Sequence, residues 1–350
     1  SGEQDDRTRG RQPDLQSCPA VSPAHAAPVI RWIHHAESTA CVAHILPCSS
    51  ADYSAVMPEG DTVFRTCARL HEALAGRVLL AAELRWPGLS TARLAGMTVR
   101  EVVPRGKHIL LRLEEGWTLH SHLKMEGQWR IERTEGQGSV PDASRRALQN
   151  PQIRAVLVTG QWTAVGLRLG QLDLVRTSEE HTLVGHLGPD ILDDDFDLGL
   201  AVANLAASDT TVGAALLDQR NLAGIGTMWA CESLFLQRLD PWSQGVGEAR
   251  LAALVDRARL LMRAGLPNAV PSSTGSTRQG ENTWVHGRSG RPCRRCGSIV
   301  RVAPIGPPTR ERVMFYCPTC QGGIAPTDDG RPIAPLGSGR GRGGPYGSRR

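Results

Sequence analysis

Residues 216–238 read LLDQRNLAGIGTMWACESLFLQR, and this stretch decides the fold of the second half of the chain. A helix ends before Gly224, the glycines at 224 and 226 make a tight turn, and Thr227 can cap the helix that follows. Glycines let a backbone approach a phosphate, and the unpaired N–H groups at a helix start favour an anion. Gly224, Gly226 and Thr227 are therefore candidate phosphate contacts, although a Gly-x-Gly between helices is more often turn chemistry alone.

The sequence changes character on either side of this turn. Residues 187–270 contain further segments of helical period, which predicts a helical domain. Residues 57–186 begin with one helical segment at about 61–75, for which Asp61 is a plausible cap. Short segments rich in Val, Leu, Ile, Thr and Trp follow, a pattern typical of a β-sandwich. We predict an α+β multidomain chain with an N-terminal helix plus β-sandwich, then a helical domain.

Four of the nine cysteines form two CxxC pairs, Cys293-x2-Cys296 and Cys317-x2-Cys320, in a segment at 271–323 that we interpret as linker and zinc finger. Each pair presents two thiolates to one tetrahedral ion. Four sulfur ligands leave no position for water, so the sequence predicts one structural zinc ion in a C-terminal zinc ribbon. The remaining cysteines show no regular framework, which favours a reducing compartment over disulfides. They are Cys18, Cys41, Cys48, Cys67 and Cys231.

Arginines surround the two cysteine pairs and bear on what the ribbon does. A ribbon that only packs on its neighbour is one interpretation, but a basic hairpin favours a nucleic-acid partner. The arginines concerned are Arg294, Arg295, Arg301, Arg310 and Arg312. The net charge of +5, with arginine concentrated late in the chain, also suits a polyanionic partner.

The two ends of the chain differ from the rest in composition. Residues 1–56 are rich in Ala, Ser, Pro and His without a sustained period, so we expect disorder or sequence outside the folded protein. Residues 324–350 are rich in Gly, Arg and Pro, which predicts a disordered tail attracted to phosphate. No run of 18 apolar residues and no signal-peptide pattern occurs, so no membrane partner is expected. We expect a soluble, cytoplasmic protein.

The segment MPEGDTVF at 57–64 resembles the N-terminus of the formamidopyrimidine-DNA glycosylase and endonuclease VIII family, which usually begins with Pro-Glu once the initiator Met is removed. The resemblance continues in order through RGKHILL, HSHLKMEG, LLDQRNLAGIGTMWACESL and the stretch from VHGRSGRPCRRCG to RVMFYCPTCQ, and it covers about 57–322. It implies a helix–two-turns–helix domain between the sandwich and the finger. It also implies a monomeric, bacterial, nucleoid-associated enzyme that removes damaged bases from double-stranded DNA and then cuts the strand.

The resemblance assigns catalytic roles to named positions. Pro58 would be the Schiff-base nucleophile, Glu59 the adjacent acid and base, and Lys107 a phosphate contact that assists elimination. Elementary chemistry supports Pro58, because a terminal amine titrates near about 8 whereas a lysine titrates near about 10.4. Without the motif, Lys107 would be read as a solvated strand lysine.

Further positions are assigned to DNA contact by the same resemblance. Arg312, five residues before Cys317, would clamp the phosphate that flanks the lesion. Met125 would fill the gap left by a flipped nucleotide, since an apolar wedge replaces lost stacking; by itself a Met beside a strand would be core. His122 is a candidate phosphate contact.

The sequence departs from the family pattern in three places. In the full chain the Pro58 nitrogen is an amide and cannot act as a nucleophile. There are three alternatives: Met57 is the true start, a protease exposes Pro58, or the extended form is inactive as a lyase. We favour the first. Thr227 stands where the family commonly carries Asn. Residues 271–286 are too short for the lesion-covering loop typical of the oxidised-purine enzymes, which favours the endonuclease VIII branch and oxidised pyrimidines.

A non-catalytic protein that recognises distorted or damaged DNA is the alternative function. It would use the helical turn and the zinc ribbon without strand cleavage. A ribosome-associated or topoisomerase-like protein that shares only the helix–two-turns–helix element leaves MPEG and the finger unexplained.

Overall fold

Residues 58–134 and 150–331 are described by the computed structural model, and all of them lie within one unit, Tyr53–Arg350. The predictions for residues 1–56 and for most of the tail at 324–350 fall outside the described residues. The first element is helix α1, Gly60–Leu74, as the helical period at about 61–75 predicts. Its apolar stripe, Val63, Cys67 and Leu70, is buried in the core of the sandwich.

Eight antiparallel strands form the sandwich that α1 packs against. One four-stranded sheet has the order β1-β6-β7-β5 and the other β2-β3-β4-β8. Their bounds are β1 Ala81–Leu84, β2 Val99–Arg105, β3 His108–Leu113, β4 Trp117–His122, β5 Gln128–Arg133, β6 Ile153–Val158, β7 Trp162–Leu167 and β8 Gln171–Arg176.

Alternation along β3 shows how the second sheet uses its two faces. Ile109, Leu111 and Leu113 point into the sandwich core, because successive side chains leave a strand on opposite faces. Leu110 lies on the other face and packs with Ala223 of the helical domain in a small separate core. The outer face of this sheet is therefore the one that meets the helical domain.

The helical domain contains α2 His181–Val184, α3 Leu198–Ala206, α4 Val212–Leu217, α5 Thr227–Leu236 and α6 Glu248–Gly265. Nine of the ten residues of α5 are buried. A helix that is buried on all sides lies at the centre of a domain rather than on its surface. The core around it continues without a break into the cysteine module, since Trp229 and Phe235 share one cluster with Val300 and Met314.

The cysteine module is a hairpin of β9, Arg301–Ile305, and β10, Arg312–Tyr316, paired antiparallel. Together with the sandwich and the central helices it confirms the predicted α+β multidomain fold. The linker before it is held by Glu232 of α5. That carboxylate accepts hydrogen bonds from the backbone N–H groups of Trp284 (2.7 Å), Val285 (2.9 Å) and His286 (2.8 Å), and from the hydroxyl of Ser273.

The module extends beyond the boundary predicted at Gly323. Ala325 is buried, and Asp328 accepts hydrogen bonds from the Arg301 guanidinium and from the Tyr316 hydroxyl (2.6 Å). The side chains of Arg301 and Asp328 are only 8% and 3% exposed. Residues 325–331 are thus a strap on the module, and a disordered tail starting at Ile324 is wrong for these residues. Composition alone could not show this, because the buried Arg301–Asp328 ion pair orders a Gly-rich segment whose composition predicts disorder.

The strap predicts different outcomes for two neighbouring aspartates. Asp328→Ala leaves the buried Arg301 without its partner and should lower the free energy of unfolding by about 3 kcal/mol. Asp329→Ala is the matched control, because Asp329 is 65% exposed and its pair with Arg331 lies at the surface, so we expect a change within about 0.5 kcal/mol. Urea unfolding of the zinc-loaded protein measures both. Equal effects would show that the strap contributes nothing.

Candidate active site

The carboxylate of Glu59 lies at the N-terminus of α5, where the helix leaves backbone N–H groups unpaired. It accepts hydrogen bonds from the backbone N–H groups of Gly226 (2.9 Å), Met228 (2.7 Å) and Trp229 (3.4 Å). Glu59 is only 4% exposed, so these bonds are sheltered from water. A residue from the start of the chain therefore caps a helix in the middle of it.

The segment around Glu59 packs so closely against the turn at 224–226 that glycines are required on both sides of the contact. The N–H of Gly60 donates to the carbonyl of Gly224 at 2.8 Å, and a Cβ on Gly60 would lie 2.8 Å from that same oxygen. A Cβ on Gly226 would lie 2.4 Å from Cδ of Glu59. Gly224 also has φ of +96°, which disfavours other residues. The turn is thus built to receive the Pro58–Glu59–Gly60 segment.

The cap predicted at Thr227 is wrong. Gly226 is the N-cap residue of α5 and supplies no side chain, while Thr227 is the first helical residue and is 4% exposed. Three of the backbone donors that the sequence suggested for a phosphate point at Glu59 instead. The sequence could not show this, because Glu59 and Gly226 are 167 positions apart.

Lys107 lies in the turn between β2 and β3, and this turn is tied to the helical domain. The N–H of Gly106 donates to the buried carboxylate of Asp190 at 2.5 Å. The Arg105 guanidinium donates to the carbonyls of Leu187 (3.3 Å) and Gly188 (3.0 Å). Asp190 was not among the predicted site residues, and the LGPDIL stretch that contains it marked only a domain boundary.

The charges of the site act on one another. Burial raises the pKa of Glu59 to about 7, an effect that the nearby Lys107 ammonium partly offsets. Burial lowers the pKa of Lys107, Glu59 opposes that, and the positive charge of Arg312 adds to it. The structure therefore brings together Glu59, Lys107 and Arg312, with half-buried Pro58 directly before Glu59.

Arg312 is exposed at the first position of β10. Its strand is fixed on α5 through Cys231, whose sulfur lies 3.3 Å from that of Met314 and accepts the N–H of Phe315 at 3.2 Å. Cys231 is fully buried, so it serves packing and not chemistry. The helix that Glu59 caps thus also positions the strand of Arg312.

His122 and Met125 lie together where β4 ends. The N–H of Lys124 donates to Nδ1 of His122 at 2.9 Å, and Lys124 has φ of +53°. Met125 is 55% exposed, which excludes the alternative of a core methionine. An exposed thioether beside a lysine leaves an apolar tip available to a partner.

The four cysteines converge as their spacing predicts. The ligand sulfurs of Cys293, Cys296, Cys317 and Cys320 all lie within 4.8 Å of one another. Zn–S bonds of about 2.3 Å in a tetrahedron place sulfurs about 3.8 Å apart, so the donor set fits one zinc ion.

Three of the five arginines around the ribbon have structural partners. Arg294 donates to two linker carbonyls, Arg295 to a carbonyl at the end of α5, and Arg301 to a buried carboxylate. Arg310 and Arg312 are exposed. Arg294 is exposed as well, and within the described part of the chain only Arg301 of these five arginines is matched by a carboxylate, so the module keeps most of the basic character that the sequence suggests.

Two family models match the chain: the formamidopyrimidine-DNA glycosylase N-terminal domain over residues 57–189, and the H2TH domain of the same enzyme over 187–276. A curated Streptomyces coelicolor protein named probable endonuclease 8 2 is 48% identical over 279 residues, covering 79% of this chain and 98% of that protein. The Mycolicibacterium smegmatis DNA-(apurinic or apyrimidinic site) lyase Nei2 is 40% identical over 267 residues, covering 76% and 99%.

Among solved structures, the fold resembles Lactococcus lactis formamidopyrimidine-DNA glycosylase bound non-covalently to DNA with an abasic site. The TM-score is 0.62 at 22% identity, covering 76% of this chain and all of the other. The chain belongs to the formamidopyrimidine-DNA glycosylase and endonuclease VIII family. Within the described residues, no helix has the length and apolar character needed to cross a membrane.

The fit between Glu59 and the turn predicts contrasting effects for two N-cap glycines. Gly226→Ala places a methyl group against the Glu59 carboxyl and should lower the free energy of unfolding by about 3 kcal/mol. Gly247→Ala is the matched control at the start of α6, where φ is −61° and no atom lies within 4 Å of the added Cβ. That change should lower the free energy of unfolding by no more than about 1 kcal/mol, because Ala is a poorer N-cap than Gly but can adopt this backbone conformation. Urea unfolding measures both, and a tolerated Gly226→Ala would contradict the close approach.

Proposed function

We propose that this chain is a bifunctional DNA glycosylase and abasic-site lyase of base excision repair, acting on damaged double-stranded DNA through a Schiff base at Pro58. The observation that carries the proposal is the Pro58–Glu59 pair, held by the Gly226 turn close to Lys107 and Arg312. The family membership and the names of the curated relatives support it.

The reaction uses Pro58 as an amine. Its nitrogen attacks C1′ of the damaged nucleotide, the bond to the base breaks, and the base leaves as the new N–C1′ bond forms. The opening sugar takes up a proton at its ring oxygen, and the amine loses its own proton to give an iminium. The iminium accepts the electron pair released when C2′ loses a proton, and the bond from C3′ to the phosphate breaks.

Glu59 is suited to the proton transfers, because a carboxyl of pKa about 7 holds a proton in about half of the molecules at neutral pH. It would protonate the opening sugar and then act as a base. Lys107 and Arg312 would contact the flanking phosphates, and Lys107 would assist elimination.

We propose that oxidised pyrimidines are the favoured substrates. The short segment at 271–286 and the relatives named endonuclease 8 support this. His122 would contact phosphate and exposed Met125 would fill the gap left by the flipped nucleotide. The turn that contains Gly224, Gly226 and Thr227 would lie near the DNA backbone and would contribute to activity mainly by positioning Glu59.

One zinc ion held by the four cysteines would keep the β9–β10 hairpin folded and so place Arg312. A monomer is sufficient for the proposed reaction, since every assigned residue lies on one chain. Bacterial nucleoid DNA would be its place of action.

Borohydride trapping on an abasic-site duplex tests the mechanism, because borohydride reduces an iminium to a stable covalent bond. Protein that starts at Pro58 should be trapped, whereas the full 350-residue chain should not, since its Pro58 nitrogen is an amide. Protein that starts at Pro58 but carries Pro58→Ala separates a requirement for any terminal amine from a requirement for proline.

Absence of trapping with every form, despite bound zinc and retained affinity for DNA, would contradict the mechanism. The non-catalytic DNA-binding protein would then be the better interpretation. Trapping by the full chain at the same rate would move the nucleophile away from Pro58.

The raised pKa of Glu59 predicts the pH dependence of base excision. The carboxyl is protonated below about pH 7, so the rate limited by proton donation should fall as pH rises above 7. Glu59→Gln should lower the single-turnover rate at pH 7 by about a hundredfold or more and remove this fall. Glu114→Gln, at an exposed turn, is the control and should keep the wild-type profile. An unchanged profile in Glu59→Gln would assign the proton to another group.

A further inference from the structure

Three neighbouring strands carry a hydrogen-bonded chain of side chains that the mechanism does not use. Nδ1 of His108 lies 2.8 Å from Nε2 of His120, and Nδ1 of His120 lies 2.8 Å from Oδ2 of Asp173. The chain crosses from β3 through β4 to β8, where His120 and Asp173 are register partners. It begins at the residue directly after Lys107.

The chemistry of the three groups decides where the protons are. An ionised carboxylate only accepts, so Nδ1 of His120 carries a hydrogen, and Nε2 of a neutral His120 is then an acceptor. Nδ1 of His108 must therefore donate to it. This leaves a lone pair on Nε2 of neutral His108, which has no hydrogen-bond partner among residues 58–134 and 150–331.

His122 has the opposite tautomer to His108. Its Nδ1 accepts the N–H of Lys124, so the neutral ring carries its hydrogen on Nε2 and can donate to a phosphate oxygen without gaining charge. The rings of His108 and His122 meet edge to face with centroids 4.8 Å apart, and the two residues are register partners. A phosphate that binds His122 thus lies beside a ring that can donate from Nε2 only after protonation.

We propose that His108 is a further phosphate-binding residue, which takes up one proton from solvent when a DNA backbone phosphate binds beside His122. The inference rests on the proposed DNA-binding function. The imidazolium donates from Nε2 to the phosphate and from Nδ1 to His120, and His120 passes the interaction to Asp173. The carboxylate of Asp173, which also accepts from Gln171 at 3.0 Å, stabilises the added charge through the two rings.

The surroundings explain why the ring is neutral before DNA binds. Burial lowers the pKa of His108 to about 3, and the neighbouring cationic and imidazole groups lower it further. A phosphate supplies the counter-charge that the free site lacks, and so raises the pKa. The titratable or charged groups that face His108, besides its partner His120, are His122, His186 and Lys124. Those that face His120 are Asp173, Lys124 and Glu180. Those that face His122, besides His120, are Lys107 and Lys124.

The test is the affinity for a duplex that contains an uncleavable tetrahydrofuran abasic-site analogue, measured from pH 5.5 to 7.5 at constant ionic strength. Binding that carries one added proton strengthens by up to about tenfold for each unit by which the pH falls, so proton uptake by His108 should strengthen binding about tenfold or more over this range. His108→Gln keeps a donor for His120 but cannot be protonated, so it should lack this tenfold gain.

Two further variants keep the test decisive. His181→Gln alters an exposed histidine of α2 that is not part of the His108–His120–Asp173 hydrogen-bonded chain, and it should retain the wild-type gain in affinity at low pH. Asp173→Asn leaves every ring in place but removes the carboxylate, and should reduce the gain even if His108→Gln fails to fold. Calorimetry at pH 6 in buffers of different ionisation enthalpy should count a smaller proton uptake for both variants than for wild type, with the larger deficit in His108→Gln.

The same pH-dependent gain in wild type, His108→Gln and Asp173→Asn would overturn the inference. Failure of the DNA-binding function gives a different result, namely no binding of wild-type protein to the duplex at any pH. Failure of the proposed catalysis alone shows in borohydride trapping and leaves this binding test unaffected. Glu59→Gln, measured alongside, identifies any part of the gain that comes from the Glu59 carboxyl.

Discussion

The contact between the Glu59 carboxylate and the N-terminus of α5 is the interaction on which the rest of the site depends. The N-terminus of a helix carries unpaired N–H groups and a partial positive charge, both of which stabilise a carboxylate. Burial acts in the opposite direction and is the larger effect, so the pKa of Glu59 is raised to about 7. One contact thus anchors the Pro58–Glu59 segment and adjusts the acid for work near neutral pH.

Helix α5 distributes this anchoring through the protein. Its N-terminus holds Glu59, its Glu232 gathers three N–H groups of the linker, and its Cys231 packs on the strand that begins with Arg312. A helix buried on nearly every side has no freedom to tilt without opening the core. The Pro58–Glu59 segment, the linker and Arg312 are therefore held at fixed relative positions although they come from three parts of the chain.

Features with a local signature could be predicted from the sequence, namely the helical period of α1, the strand segments, the cysteine pairs and the Pro58–Glu59 motif. Features that depend on distant partners could not. Asp190 pairs with a residue 84 positions away, and the cap of α5 comes from 167 positions away, so Thr227 looked like the cap. The five ribbon arginines looked alike, yet burial of Arg301 against Asp328 gives it a structural role.

The same long-range effects control where positive charge is available to DNA. Burial lowers the pKa of His108 and of His122 to about 3, so these two rings are neutral in the free protein near pH 7. Exposed arginines such as Arg312 keep their charge and are suited to the first encounter with DNA. A bound phosphate reverses the electrostatic balance at the buried groups, because it supplies the negative charge that favours their protonated forms. We therefore propose that the site gains positive charge at His108 when a DNA phosphate occupies it.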